Sequence, residues 1–253
     1  MMRLVIAAIC LCAATAAFAQ DNSNPAKSAA EAAAVQAMLQ AQTPDDQIKT
    51  ADELVAKYPS TNYKAYALFT AAGAWEQKGD HAKAIAYCEK ALAADPKDFD
   101  AEILMADVIA SNTSDSDPDK ADKLGRAEKA AKHALDVIKT SPKPRLFQMT
   151  DSEWTNTKNS SASQAWQVLA TTATIEKKAD EAIADYEKGV ALTQDPGLMV
   201  RAGRALEAFQ KYDDAIGWFD KALASPNADA QLKDVAAKDK TRVAAEKARS
   251  KQE

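Results

Sequence analysis

Side chains able to carry nucleophilic, metal-binding or proton-transfer chemistry are few in this chain and stand apart. Its imidazoles are His81 and His133, and its thiols are Cys10, Cys12 and Cys88. His81 follows Gly79 and Asp80 in a polar turn, and His133 lies on an alanine-rich helical stretch. Neither has a nucleophile or a paired acid within sequence reach, so both read as solvated or packed structural histidines. Asp115, Asp117 and Asp119 alternate in "DSDPD" as in the first half of a calcium loop. That loop also requires glycine at its sixth place and a bidentate glutamate at its twelfth, where Lys120 and Arg126 stand. Residues 111–123 are therefore expected to form a solvated acidic insertion with helix-capping aspartates and no metal. Only seven glycines are present, and they form no phosphate-cradling loop. No nucleophile elbow or metal-spaced Cys/His set appears, so neither a cofactor nor enzymatic activity is expected.

What the sequence does carry is a recurring apolar pattern. "GDHAKAIAYCEKALAADP" at 79–96, "KADEAIADYEKGVAL" at 178–192 and "KYDDAIGWFDKAL" at 211–223 align column by column. Ala84, Ala182 and Ala215 share one column and Ile85, Ile183 and Ile216 the next. Cys88, Tyr186 and Phe219 follow, then Ala91, Gly189 and Ala222, then Leu92, Val190 and Leu223. This spacing traces one face of an α-helix. Its alternation of small and large residues specifies close packing against a neighbouring helix. Cys88 occupies a core column, so it is expected to be a buried, unreactive thiol.

A second amphipathic segment precedes each of these helices. "YKAYALFTAAGAWEQKG" places Leu68, Ala72 and Trp75 at helical spacing, with Gly79 suited to a left-handed helix end. "PGLMVRAGRALEAFQK" places Met199, Gly203 and Leu206 in the same columns, with Pro196 at its start. The unit is a helical hairpin, and the clearest copies recur at the interval that marks solenoid repeats.

These residues resemble the tetratricopeptide repeat. Leu68, Ala71, Ala72, Trp75, Gly79, Ala84, Cys88, Ala91 and Pro96 match its pattern, with Cys88 in place of an aromatic residue. Trp166, Leu169, Ala170, Ala182, Tyr186 and Gly189 match in a second unit; Met199, Gly203, Leu206, Ala215, Phe219 and Ala222 match in a third. Clear repeats are thus read at 65–98, 163–195 and 196–228, with degenerate units at 26–60 and 99–141. "TSPKPRLFQMTDSEW" interrupts the period, and Thr150 with Glu153 forms a capping-box signature, so the next helix begins at Asp151 or only near Ala162. Residues 228–250 read as a charged capping helix. The resemblance implies an all-α, right-handed solenoid of about five hairpins. It also implies that the first helix of each hairpin lines a concave groove for partner peptides. Carried over by column, the groove residues are Tyr66, Phe69, Gln77, Asp107, Gln167, Thr171, Arg204 and Glu207. The lysines and asparagines with which one branch of the family grips a C-terminal carboxylate are replaced here by Phe69, Gly73, Thr171 and Arg204.

The chain opens with Arg3, an apolar run from Leu4 to Ala17 and the small-residue triplet Ala17-Phe18-Ala19. That is the grammar of a signal peptide over residues 1–19, leaving 20–253 as the solenoid and Cys88 as the mature chain's single cysteine. A retained membrane anchor is the alternative, although the run is short for a span. The charge balance, 37 acidic against 32 basic residues, lacks the basic surplus of a nucleic-acid partner. No later stretch is long and apolar enough to span a membrane. The reading is an exported, periplasmic or secreted, non-enzymatic scaffold for a protein or peptide partner of the envelope or secretion apparatus. The alternative is an envelope assembly or structural factor acting through self-association or its charged C-terminal helix.

Overall fold

The computed structural model describes residues 26–144 and 148–250; the signal-like segment 1–19 lies outside them. Eleven helices follow one another, and no strand occurs among the described residues. They are α1 (Ala29–Gln40), α2 (Pro44–Lys57), α3 (Lys64–Gln77), α4 (His81–Ala94), α5 (Phe99–Ser111), α6 (Lys120–Thr140), α7 (Asp151–Ile175), α8 (Ala179–Thr193), α9 (Pro196–Ala208), α10 (Tyr212–Ala224) and α11 (Ala230–Arg249). Successive helices pair as five hairpins, each packed on the next, and α11 closes the stack. This nearest-neighbour layout is that of a solenoid.

Local signals fix the helix ends. Ser28, Thr43, Asp80, Asp98, Asp195 and Asp229 each accept a bond from a first-turn backbone N–H, satisfying donors that a helix start leaves open. Thr150 and Glu153 form a reciprocal capping box, which settles the start of α7 at Asp151 rather than near Ala162. Asp119 departs from expectation. It occupies the N-cap place of α6 without a side-chain capping bond, because its carboxylate pairs with Lys123 at 2.9 Å.

Three hairpin turns share one geometry. Gly79 has φ 75°, and Lys177 and Gln210 take the corresponding left-handed conformation at φ 63° and 59°. In each turn two backbone bonds close the preceding helix, as with Asp80 N to Trp75 O and Gly79 N to Glu76 O. Lys178 to Ala173 and Lys211 to Leu206 repeat the longer bond. This double closure satisfies carbonyls that would otherwise lack donors.

The small-large columns form the core. Ala84, Ala182 and Ala215 are fully buried, and so are Cys88 and Phe219 in the large-residue column. Two glycines permit the closest approaches. A Cβ on Gly203 would lie 2.6 Å from the Phe219 ring, and one on Gly189 would lie 2.8 Å from Leu198 Cδ2. Only the missing side chains let these helices meet at such separations.

Curvature follows from which helices touch. Among the first helices α3 meets α5 and α5 meets α7, and α9 meets the capping helix α11, whereas no two second helices make a comparable contact. The first helices therefore line the inner side.

Candidate functional site

Four inner helices carry a polar row across this concave side. Glu76 on α3, Asp107 on α5, Gln167 and Thr171 on α7 and Arg201 on α9 lie close enough to influence one another. Burial pushes the Asp107 carboxyl above the usual range. Arg201 draws it back down and Glu76 pushes it up, while a long 3.4 Å hydrogen bond from Ser111 and the nearby Gln167 amide favour its charged form. Tyr186 projects from α8 behind the row. Burial raises its phenol, and the nearby Thr171 hydroxyl, the Arg201 charge and the Thr174 hydroxyl oppose that rise. The row thus holds one desolvated carboxyl, one guanidinium, an amide and hydroxyls on a common face. Such a face can exchange hydrogen bonds with a partner. Nothing in it pairs a nucleophile with a base.

The residues assigned to the groove by column fall into three groups. Asp107, Gln167 and Thr171 come together in the polar row. Tyr66 and Phe69 lie further along α3, half-buried. Tyr66 packs with the α1–α3 core, bonds Thr70 and feels the charge of Asp100. Phe69 packs on the cluster of Leu68, Ala91 and Ala101. Gln77, the last residue of α3, is exposed.

Arg204 and Glu207 require a correction. Their side chains are engaged by α11: Arg204 Nε donates to Asp239 at 2.7 Å, and Arg242 pairs with both Glu207 and Asp239. A further hairpin would stack where the capping helix lies, and α11 covers the far edge of α9. Arg201 was the residue missed. One turn earlier on α9, it looks back toward Asp107, whereas Arg204 looks forward to α11.

The other chemistry-bearing residues are absorbed by the fold. His81 Nδ1 lies 2.7 Å from Glu76 and His133 Nδ1 lies 2.8 Å from Glu102. Cys88 is free and buried, its thiol pushed up to about 12, chiefly by desolvation and then by Asp98, Glu76 and Glu89. Asp115 pairs with Lys120, and Asp117 with Lys123, so the acidic insertion is neutralised by its own lysines. No cluster of potential metal ligands occurs among the described residues. No described helix is long and apolar enough to cross a membrane. A concavity of about 350 Å³ lies on the first hairpin, lined by residues including Ala37, Asp46, Lys49 and Glu53, and shares no residue with the polar row.

Comparison with known proteins locates the repeats. The tetratricopeptide-repeat family profile matches residues 65–98 and again 163–196. A thermophilic tetratricopeptide-repeat protein of Thermus thermophilus is similar in structure, with a TM-score of 0.59 and 15% identity over 82% of this chain and 95% of that one. MamA of Desulfovibrio magneticus aligns over 77% of this chain and 92% of its own, with 15% identity and a TM-score of 0.48. No curated protein matches the chain. Repeats of this kind build interaction scaffolds that are typically non-catalytic. The two matched repeats and the all-helical stack of hairpins make this chain a tetratricopeptide-repeat protein.

Proposed function

We propose that the chain is an exported, non-enzymatic scaffold that holds a peptide segment of an envelope or secretion partner along its concave side. The observation that carries this reading is the polar row of Asp107, Gln167, Thr171 and Arg201. It crosses successive inner helices at positions that the solenoid's own core does not consume. Half-buried Tyr66 and Phe69 extend the face with the aromatic surface on which peptide anchors pack. Export is supported by the signal grammar of residues 1–19, and burial of the remaining thiol suits an oxidising compartment.

Site-specific photo-crosslinking in the native host tests the reading. A crosslinker at Gln167 or Thr171 should trap one defined partner. The same group at exposed Glu181, on outer helix α8, should not. Equal trapping from both faces, or none from the inner one, would remove the groove from consideration. Fractionation with N-terminal sequencing checks export, with a mature chain beginning at Gln20 as the expected result.

A further inference from the structure

The two ends of the stack differ. At one end α11 covers the last hairpin with a charged outer side whose ions pair locally, as Lys238 does with Asp234. At the other end the first hairpin has a neighbour on one side only. Tyr87 of α4 donates to Asp52 of α2 at 2.9 Å on that side, and α1 is held chiefly by α2. Away from this contact lies the concavity of about 350 Å³, lined entirely by α1, α2 and the turn between them.

Charge divides this open side. The single charged residue of α1, Glu31, is buried, so the exposed positions of that helix hold alanines, glutamines and one leucine. Ala37 and Gln40 carry this neutral surface into the concavity, where α2 borders it with exposed Asp46, Lys49 and Glu53. Lys49 and Glu53 make no hydrogen bond or ion pair among the described residues, and the Asp46 carboxylate accepts from the adjacent Thr43 hydroxyl. A neutral centre of small residues bordered by charges of both signs has the layout of a protein interface.

The order of those charges selects the occupant. Two copies running antiparallel, with a two-fold axis between Asp46 and Lys49, set each Lys49 against the other copy's Asp46. The same axis crosses α1 near Ala37 and Gln40, where alanine approaches alanine and no charge is stripped of water. Head-to-tail stacking offers no such match. It would press the alanine surface of α1 onto the charged outer side of α11 and desolvate ions without supplying partners.

We propose that the open side of the first hairpin is a self-association surface, on which a second copy of this chain packs about a two-fold axis, α1 against α1 and Lys49 against Asp46. The overlap is short, so the dimer belongs to the weak, reversible class that buries less than about 1,200 Å². It is independent of the groove reading, because the surface shares no residue with the polar row.

Sedimentation velocity over a concentration series, on the chain beginning at Gln20, should show a reversible equilibrium between monomer and dimer. Ala37→Glu and Lys49→Glu should each raise the dissociation constant about tenfold or more by setting like charges together, with helicity unchanged. Lys238→Glu makes the same charge change as Lys49→Glu but on α11, and should leave association unaltered. Asp46→Lys should also weaken self-association, and mixing it with Lys49→Glu should restore a dimer containing one chain of each. Ala37→Glu and Lys49→Glu, both at exposed helical positions, decide the matter if Asp46→Lys disturbs the start of α2. A chain that is monomeric at every concentration would overturn the proposal, as would a dimer indifferent to those two substitutions, equal weakening by Lys238→Glu, or a folded mixture that stays monomeric. Species growing beyond the dimer would overturn it in favour of head-to-tail stacking. A dimer formed only when residues 1–19 are present would overturn it in favour of that segment as the occupant.

Discussion

At the scale of single residues, the informative groups are carboxyls that the fold withdraws from water. Asp98 caps α5 by accepting from Ala101 N at 3.0 Å, and its carboxyl is pushed up to about 6, chiefly by burial and secondarily by Asp100 and Asp95. Between the ordinary value of 3.8 and about 6 the folded chain therefore binds more protons here than the unfolded chain does. The resulting contribution is present at the acid end of that window and is lost as pH rises through about 6. Asp98→Asn keeps the capping oxygen but removes the buried charge. It should raise the melting temperature at pH 7.5, by on the order of 1–3 kcal/mol of stability, and change little at pH 4.5. A melting curve with the same gain at both pH values would show that desolvation of Asp98 is not the cause. Asp98 stands in the sequence as an ordinary capping aspartate, and nothing local marks its burial. That burial comes from packing around the α5 N-terminus, where α7 supplies Ser161 to Asp100 at 2.8 Å and Trp154 to Phe99 at 6.1 Å between ring centroids.

At the scale of elements, the left-handed turns follow one design with different residues. Gly79 suits its φ of 75°, whereas Lys177 and Gln210 hold similar angles with a Cβ in place. A non-glycine residue in this region is disfavoured by about 1 kcal/mol or somewhat more. Lys177→Gly and Gln210→Gly should accordingly stabilise the chain by about 0.5–1 kcal/mol each, less whatever glycine loses in the unfolded state. Chemical denaturation of both variants checks this, with unchanged or lower midpoints as the refuting result. The hairpins themselves were legible because Ala182 and Ala215, or Tyr186 and Phe219, recur in register and periodic burial leaves a periodic record. The turn conformations were legible only at Gly79, since Lys177 and Gln210 carry no residue signature for φ above zero. The polar row was legible in part: Asp107, Gln167 and Thr171 followed from column matching. Arg201 did not, because its significance depends on Asp107, which is distant in sequence. A lone arginine on an amphipathic helix resembles a solvated one until the tertiary fold brings its neighbours together.

At the scale of the whole molecule, the C-terminal helix decides where the solenoid stops and how much of its inner face stays open. Ala236 and Val243 bury against α9 and α10 in the core that contains Trp218 and Phe219. Charged pairs surround that contact: Arg204 to Asp239, Lys240 to Asp220 at 2.6 Å and Lys247 to Asp213. Exposed pairs of this kind contribute little individually, at most about 1 kcal/mol each, so apolar burial carries most of the docking. Deleting residues 230–253 would uncover Trp218 and leave the last hairpin with neighbours on one side only. Because a solenoid's stability is a sum of units and interfaces, the loss should be graded along the chain. Native-state hydrogen exchange should show α9 and α10 losing most of their protection while α1 to α4 retain theirs, accompanied by reduced solubility. If the truncated chain instead kept its protection and solubility but lost an oligomeric state, α11 would be an assembly element rather than a cap. Uniform loss of protection from α1 to α10 would show that the stack unfolds as one unit, contrary to what contacts confined to adjacent hairpins imply.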